Sequence, residues 1–375
     1  MKTLFLHIGT PKTGTTSLQE FCHLNREAFL KYSYCYPKIN AKYPGVRSIR
    51  NGAFLVGRIW DEEGKRDRVK EQELYELGME QVKEAFETSQ TVVLSDEHLW
   101  WGTSSHRKGL WKQLKKMADH MGWDVKIVVY LRRQDDYISS HWNQFVKNNV
   151  RTTTWEEHVK LFMQNESMRL NYATKLDGIA KVFGKDAIIV RRFDFSYFED
   201  QSIYKDFMKV IGLGWKEEFL LPEETNNNQG LKGNTFEIKR ILNEIPDMDE
   251  EVLRQLGMVL KNCSKMYGSE YRYHMFSKEE RAELMQQFQE ENDRVAREYI
   301  QDGEPLFPEI TKELPKWTWN NPYLHQDIIR FWAMAYSELF QKQQLLEQEV
   351  KALKQQKTVT ERIYNKYKNL RKRIS

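Results

Sequence analysis

Four short runs of the chain are apolar at nearly every position, falling at residues 3–8, 91–94, 125–131 and 187–193. Runs of this length, rich in valine and isoleucine, read as buried strands. Between them polar and apolar residues recur at helical period. Leu176, Ile179, Ala180 and Phe183 share one such face, and Gly184 follows as a helix stop. Apolar strands separated by amphipathic helices predict an α/β fold, with a central parallel sheet flanked by helices. The pattern changes toward the carboxyl end. Leu339, Leu346 and Leu353 recur every seven residues, but the companion stripe reads Gln343, Val350 and Lys357. One wholly apolar stripe predicts a helical extension over 326–375, capable of weak self-association, appended to a domain of 1–325.

Composition supports that division. The chain has 375 residues, 40% of them hydrophobic and 13% aromatic, enough for a substantial core. Its formal charge of +4 is unevenly placed. From Lys354 to Ser375 there are eight Lys or Arg and one Glu, leaving 50 basic and 53 acidic residues in the 353 before them. A basic tail on a slightly acidic body predicts no nucleic-acid partner, but allows peripheral contact with an anionic membrane surface. Cys22, Cys35 and Cys263 have no metal-ligand spacing and no even pairing, which points to a reducing cytosol without structural zinc. The apolar run at the amino end is too short for a signal peptide, and no apolar stretch reaches the roughly 20 residues that span a bilayer. A cytoplasmic protein is expected.

The first strand leads into the candidate chemistry. Leu4-Phe5-Leu6-His7-Ile8 is followed by Gly9-Thr10-Pro11-Lys12-Thr13-Gly14-Thr15-Thr16-Ser17-Leu18, a strand, a loop and the start of a helix. Gly9 and Gly14 match the spacing of the phosphate-binding pattern G-x-x-x-x-G-K-[ST], but Thr15 stands where the lysine is expected and Lys12 lies inside the loop instead. Backbone amides of such a loop, with the positive end of a helix behind them, cradle an anionic phosphate.

The displaced lysine carries a family resemblance. Pro11-Lys12-Thr13-Gly14-Thr15-Thr16-Ser17-Leu18 resembles the 5′-phosphosulfate loop of sulfotransferases that use 3′-phosphoadenosine-5′-phosphosulfate (PAPS), and the chain is most similar to their bacterial carbohydrate or exopolysaccharide type. The resemblance implies a P-loop-containing nucleotide-hydrolase-like fold, with Pro11 to Ser17 on the cofactor and Lys12 compensating charge on its leaving oxygen. It also implies that Arg132, at the end of the third strand, and Ser140, eight residues on, hold the 3′-phosphate. Downstream, Lys232 beside Gly233 resembles the segment that covers that phosphate, though an asparagine-rich linker, Thr225 to Gln229, explains the same stretch.

Sulfuryl transfer to an alcohol also needs a base, and Ser95-Asp96-Glu97-His98 at the second strand's end offers Glu97 or His98. No metal is expected. The implied acceptor is a carbohydrate or glycolipid hydroxyl, and the aromatic segment from Lys31 to Trp60, with Arg47, Arg50 and Asn51, either borders it or is a solvated loop. Two other readings stay open. A Mg-ATP kinase would share the loop and place Asp96 on the metal, and a non-catalytic nucleotide-binding scaffold would keep the loop without turnover.

Overall fold

The computed structural model describes residues 1–101, 109–148, 152–164, 170–223, 230–266, 272–310 and 314–374; the side chains of 357–359, 361, 365, 367, 368 and 370–374 lie outside that description. Five strands, β1 (Lys2–His7), β2 (Tyr34–Cys35), β3 (Thr91–Ser95), β4 (Trp123–Leu131) and β5 (Ile188–Arg192), make one sheet in the order β2-β3-β1-β4-β5. Every pairing is parallel, with Leu6 level with Leu94 on one side and Ile127 on the other. This is the α/β arrangement, a central parallel sheet flanked by helices, expected from the apolar runs. Four strands fall where those runs are; β2 is additional, a two-residue strand within the aromatic segment.

The helices are α1 (Thr15–Leu24), α2 (Arg26–Leu30), α3 (Arg68–Thr88), α4 (Leu110–Met121), α5 (Gln134–Lys147), α6 (Trp155–Gln164), α7 (Tyr172–Phe183), α8 (Ile203–Val210), α9 (Thr235–Glu244), α10 (Glu250–Lys265), α11 (Lys278–Gln287), α12 (Gln289–Val295) and α13 (Leu324–Ile374). They group into two compact units. The first comprises Met1–Gln144, Thr153–Asn228 and His274–Lys316, and holds the sheet. Its helices lay apolar faces on that sheet. Leu18, Phe21 and Cys22 of α1 face inward; of the face expected for α7, Leu176 and Ile179 are buried together with Tyr172 and Ala173, while Ala180 and Phe183 are half-buried. Gly184 ends α7 with φ 86°, a left-handed conformation that side chains disfavour. Aromatic rings fill one side of the sheet: Phe21 stacks on Trp215 at 5.8 Å and meets Phe29 and Phe219 edge-on. One buried charge sits among them. Asp206 accepts from Tyr130 Oη at 2.7 Å and from Arg191 Nε at 3.1 Å, which satisfies its carboxylate.

The second unit comprises Phe145–Thr152, Gln229–Tyr273 and Trp317–Ser375, so the carboxy-terminal helix, beginning at Leu324, groups with α9 and α10. Its centre is polar. The buried Asn234 donates to Asp327 Oδ2 at 2.8 Å and accepts from Trp317 Nε1 and Asn321 Nδ2, each at 2.8 Å. Beyond its first turns α13 is exposed, and the side chains of Lys368, Arg371, Lys372 and Arg373 in the basic tail lie outside the described residues, as do Thr225 to Gln229. No helix among the described residues is long and apolar enough to cross a membrane.

Candidate functional site

β1 is the central strand, with β3 and β4 on either side, so its carboxyl end opens at the point where the sheet's connections diverge, the usual ligand crevice of such folds. The chain leaves β1 but stays stitched to β4. Ile8 N donates to Val128 O at 2.9 Å, Tyr130 N to Gly9 O at 2.7 Å, and Thr10 N to Tyr130 O at 3.0 Å. Thr13 Oγ1 closes the turn on Thr10 O at 2.5 Å, and both threonines are fully buried. Lys12 and Gly14 take left-handed conformations, φ 69° and 71°. α1 then begins at Thr15, its Gly14 N-cap supplying no side chain to the first-turn amides, so the helix's positive end is open to an anion at Thr15, Thr16 and Ser17. Pro11, Thr16 and Ser17 are half-buried.

Two partners fix Lys12. Its Nζ donates to Gln144 Oε1 at 2.9 Å, and its carbonyl accepts from Arg132 Nη1 at 3.0 Å. Burial pushes the Lys12 ammonium's pKa down, Arg132 pushes it further, and Glu97 partly opposes them. Arg132 leaves the end of β4 with its guanidinium 5.6 Å from the Phe193 ring, while Tyr172 Oη donates to its carbonyl at 2.7 Å. Arg133 goes elsewhere, to Pro308 O at 2.9 Å and Asp135 Oδ1 at 3.3 Å.

Ser140, half-buried on α5, lies one turn before Gln144 and one turn after Asp136, on the helix stripe that bonds Lys12. Asp136 faces Arg281 Nη2 at 3.5 Å and His274 Nε2 at 3.3 Å. Burial would raise its carboxyl, but His274, Arg132 and Arg281 together hold it below the usual range. Asp135, Asp136 and His274 have ligand-type atoms close enough for a metal ion. Arg281 Nε, however, lies 2.6 Å from Asp135 Oδ2, so the carboxylates are already in an ion-pair network.

Glu97 comes to the loop from the other side. β3 ends at Ser95, and the 3₁₀ turn Glu97–Trp100 follows, with Asp96 accepting from His98 N at 2.8 Å. A Cβ on Gly9, which has φ 100°, would lie 3.3 Å from Glu97 Cα and Cβ; the missing side chain is what allows this approach. Gln19 Nε2 donates to Glu97 Oε2 at 3.1 Å and to Ser95 Oγ at 3.3 Å, and Arg50 Nε lies 3.8 Å from Glu97 Oε2. Burial would raise the Glu97 carboxyl, but Arg50, its own backbone amide, His98 and Gln19 outweigh it, and its pKa is lowered. Below it His7 bonds Ser95 Oγ at 2.8 Å, and burial brings its pKa down to about 4, so it is neutral. His98 is exposed.

The structure thus brings Pro11 to Ser17, Glu97, Arg132 and the Ser140 face of α5 around one loop. Lys232 belongs to the second unit, exposed, its amide donating to Thr235 Oγ1 and Ser264 Oγ at 3.1 Å each. Of the segment weighed as an acceptor border, Asn51 is structural: it is buried, donates to Val93 O and accepts from Ser95 N. Arg50 grips Asp96 bidentately, at 3.0 and 2.9 Å, and Arg47 makes an exposed pair with Glu20. Gln19 and Gln144 stand at the loop although no motif announces them, and Arg50, weighed as an acceptor contact, instead pairs with Asp96.

No protein-family model matches the chain. A protein of Archaeoglobus fulgidus described as uncharacterized is 29% identical over 175 residues, 47% of this chain. The match covers 46% of that relative's length. Among solved structures, a sulfotransferase from Alicyclobacillus acidocaldarius aligns over 80% of this chain and 97% of its own, at 14% identity and a TM-score of 0.39. A likeness that loose fixes neither fold nor activity.

Proposed function

We propose that the chain is a PAPS-dependent sulfotransferase that transfers the sulfuryl group to a hydroxyl of a carbohydrate or glycolipid acceptor in the cytoplasm. The observation that carries the reading is the approach of Glu97 to a phosphate-type loop whose lysine sits at position 12 and whose backbone Arg132 holds through the Lys12 carbonyl. The open amides from Thr15 to Ser17 receive the 5′-phosphosulfate. Glu97, ionised, takes the acceptor's proton as its oxygen bonds to sulfur, the bond from sulfur to the phosphate oxygen breaks, and Lys12 compensates the charge left on that oxygen. Arg132 and Ser140 hold the 3′-phosphate. Gln144 keeps the Lys12 ammonium aimed, and Gln19 does the same for Glu97.

Asp96, the carboxylate a Mg-nucleotide kinase would need at this strand end, is fully buried and held bidentately by Arg50. That argues for the sulfuryl-transfer reading over the kinase. Thermal melts with 3′-phosphoadenosine-5′-phosphate, ADP, and ATP with and without magnesium test it. A ligand at 100 times its Kd adds about 2.7 kcal/mol, visible as a shift of a few degrees. Metal-independent stabilisation by the 3′-phosphorylated nucleotide is expected, and Arg132→Ala should weaken it by about 1.5–3 kcal/mol, the worth of a charged hydrogen bond. A preference for Mg-ATP would overturn the reading, and indifference to all nucleotides would favour a scaffold.

A further inference from the structure

Along α13 two rows of exposed side chains follow one another by alternating steps of three and four, with Ile328, Phe340 and Leu345 exposed outside them. Ile329, Tyr336, Gln343 and Val350 form one row, and Trp332, Leu339, Leu346 and Leu353 the other. The seven apolar members are 48% to 68% exposed. The helix uses a different face within its own unit, where Leu324, Asp327 and Phe331 are buried and Met334 Sδ meets Cys263 Sγ at 3.3 Å. In heptad terms the first row takes position a and the second position d, with leucine at three successive d positions, and the seam runs through more than three heptads.

The flanking charges select a partner. Lys342 and Glu349 occupy g positions, Glu347 and Lys354 occupy e positions. In a parallel, in-register pair each g residue meets the e residue five further along the other strand, so Lys342 faces Glu347 and Glu349 faces Lys354, each contact occurring twice by symmetry. Gln343 then meets its own copy, amide to amide, the one polar layer in the seam. In the single chain Lys342 Nζ reaches Gln255 Oε1 at 3.3 Å and Gln343 donates to Glu347 at 3.0 Å, exposed bonds that cost little to exchange. Lys357 takes the next a position, and like charges there close the seam.

We infer that residues 329–353 of α13, about 37 Å of helix, form a parallel two-stranded coiled coil with a second copy of this chain. The surface is independent of the sulfuryl-transfer reading.

Sedimentation equilibrium of the full chain tests it. The wild type should be a dimer, and Leu339→Glu with Leu346→Glu a monomer that keeps the wild-type circular dichroism and melting of the globular units. Lys342→Glu with Glu349→Lys should weaken the dimer about a hundredfold, since it makes every facing pair like-charged, and adding Glu347→Lys with Lys354→Glu should restore it. In an antiparallel pair Lys342 would face Glu349, and the double swap would leave that contact attractive. A dimer indifferent to it therefore overturns the parallel arrangement. A wild-type chain that stays monomeric at its solubility limit, with or without phosphatidylserine vesicles, overturns the proposal altogether.

Discussion

Glu97 has one force raising its pKa and four lowering it. Burial favours the neutral acid, but the Arg50 guanidinium, a backbone amide, His98 and the Gln19 amide all favour the carboxylate, and they win. Because the folded pKa is depressed, the group stays ionised through neutral pH, and the stability it contributes is lost only as pH falls through that lowered value. The same sign governs its chemistry. As a base it is ready at any ordinary pH, so the acid limb of kcat/KM should lie below the usual glutamate range rather than near neutrality. Glu97→Gln keeps the shape and the Gln19 contact while removing proton acceptance. It should lower turnover about 10²–10⁴-fold with nucleotide affinity unchanged, read by steady-state rates beside nucleotide titrations. Near-normal turnover in that variant would remove Glu97 from the base role and leave His98 to be tested.

The turn between β1 and α1 is where backbone conformation becomes function. Gly9 is left-handed at φ 100° and its Cβ would lie 3.0 Å from Pro11 N and 3.3 Å from Glu97; Gly64, φ 74°, has open space in the same place. Gly64→Ala should cost only the left-handed backbone, about 1–2 kcal/mol. Gly9→Ala should lower Tm further and abolish most turnover, because either the loop or Glu97 must retreat. Equal melting and activity for the two variants would show that the approach of loop and carboxylate is unimportant. The strands that frame this turn were legible in sequence, since Val92-Val93-Leu94 and Ile127-Val128-Val129 leave no polar face to interpret. β2 was not, because two residues carry no period. Lys12 and Arg132 stood out by motif and spacing. Gln144 and Gln19 did not, because their roles depend on parallel strand order and register, which bring residues 132 and 78 positions apart into contact.

In the second unit a single amide joins stretches of chain that lie far apart in sequence. Asn234 at the head of α9 bonds Trp317, Asn321 and Asp327, across the whole of the intervening segment 274–316, which belongs to the other unit. Asn234→Ala would leave the buried Asp327 carboxylate and the Trp317 indole short of a partner, at a cost of about 2–4 kcal/mol. Hydrogen exchange should then accelerate in α9, α10 and the first turns of α13 while β1 and β4 keep their protection; uniform loss would mean that the two units unfold as one. The backbone passes between these units five times. Neither can be lifted out of the gene as a cassette, because any one cut leaves strands or helices of the same body on both fragments. A single junction leaves the first unit whole only after the last crossing, so the exposed end of α13 is the stretch most open to exchange.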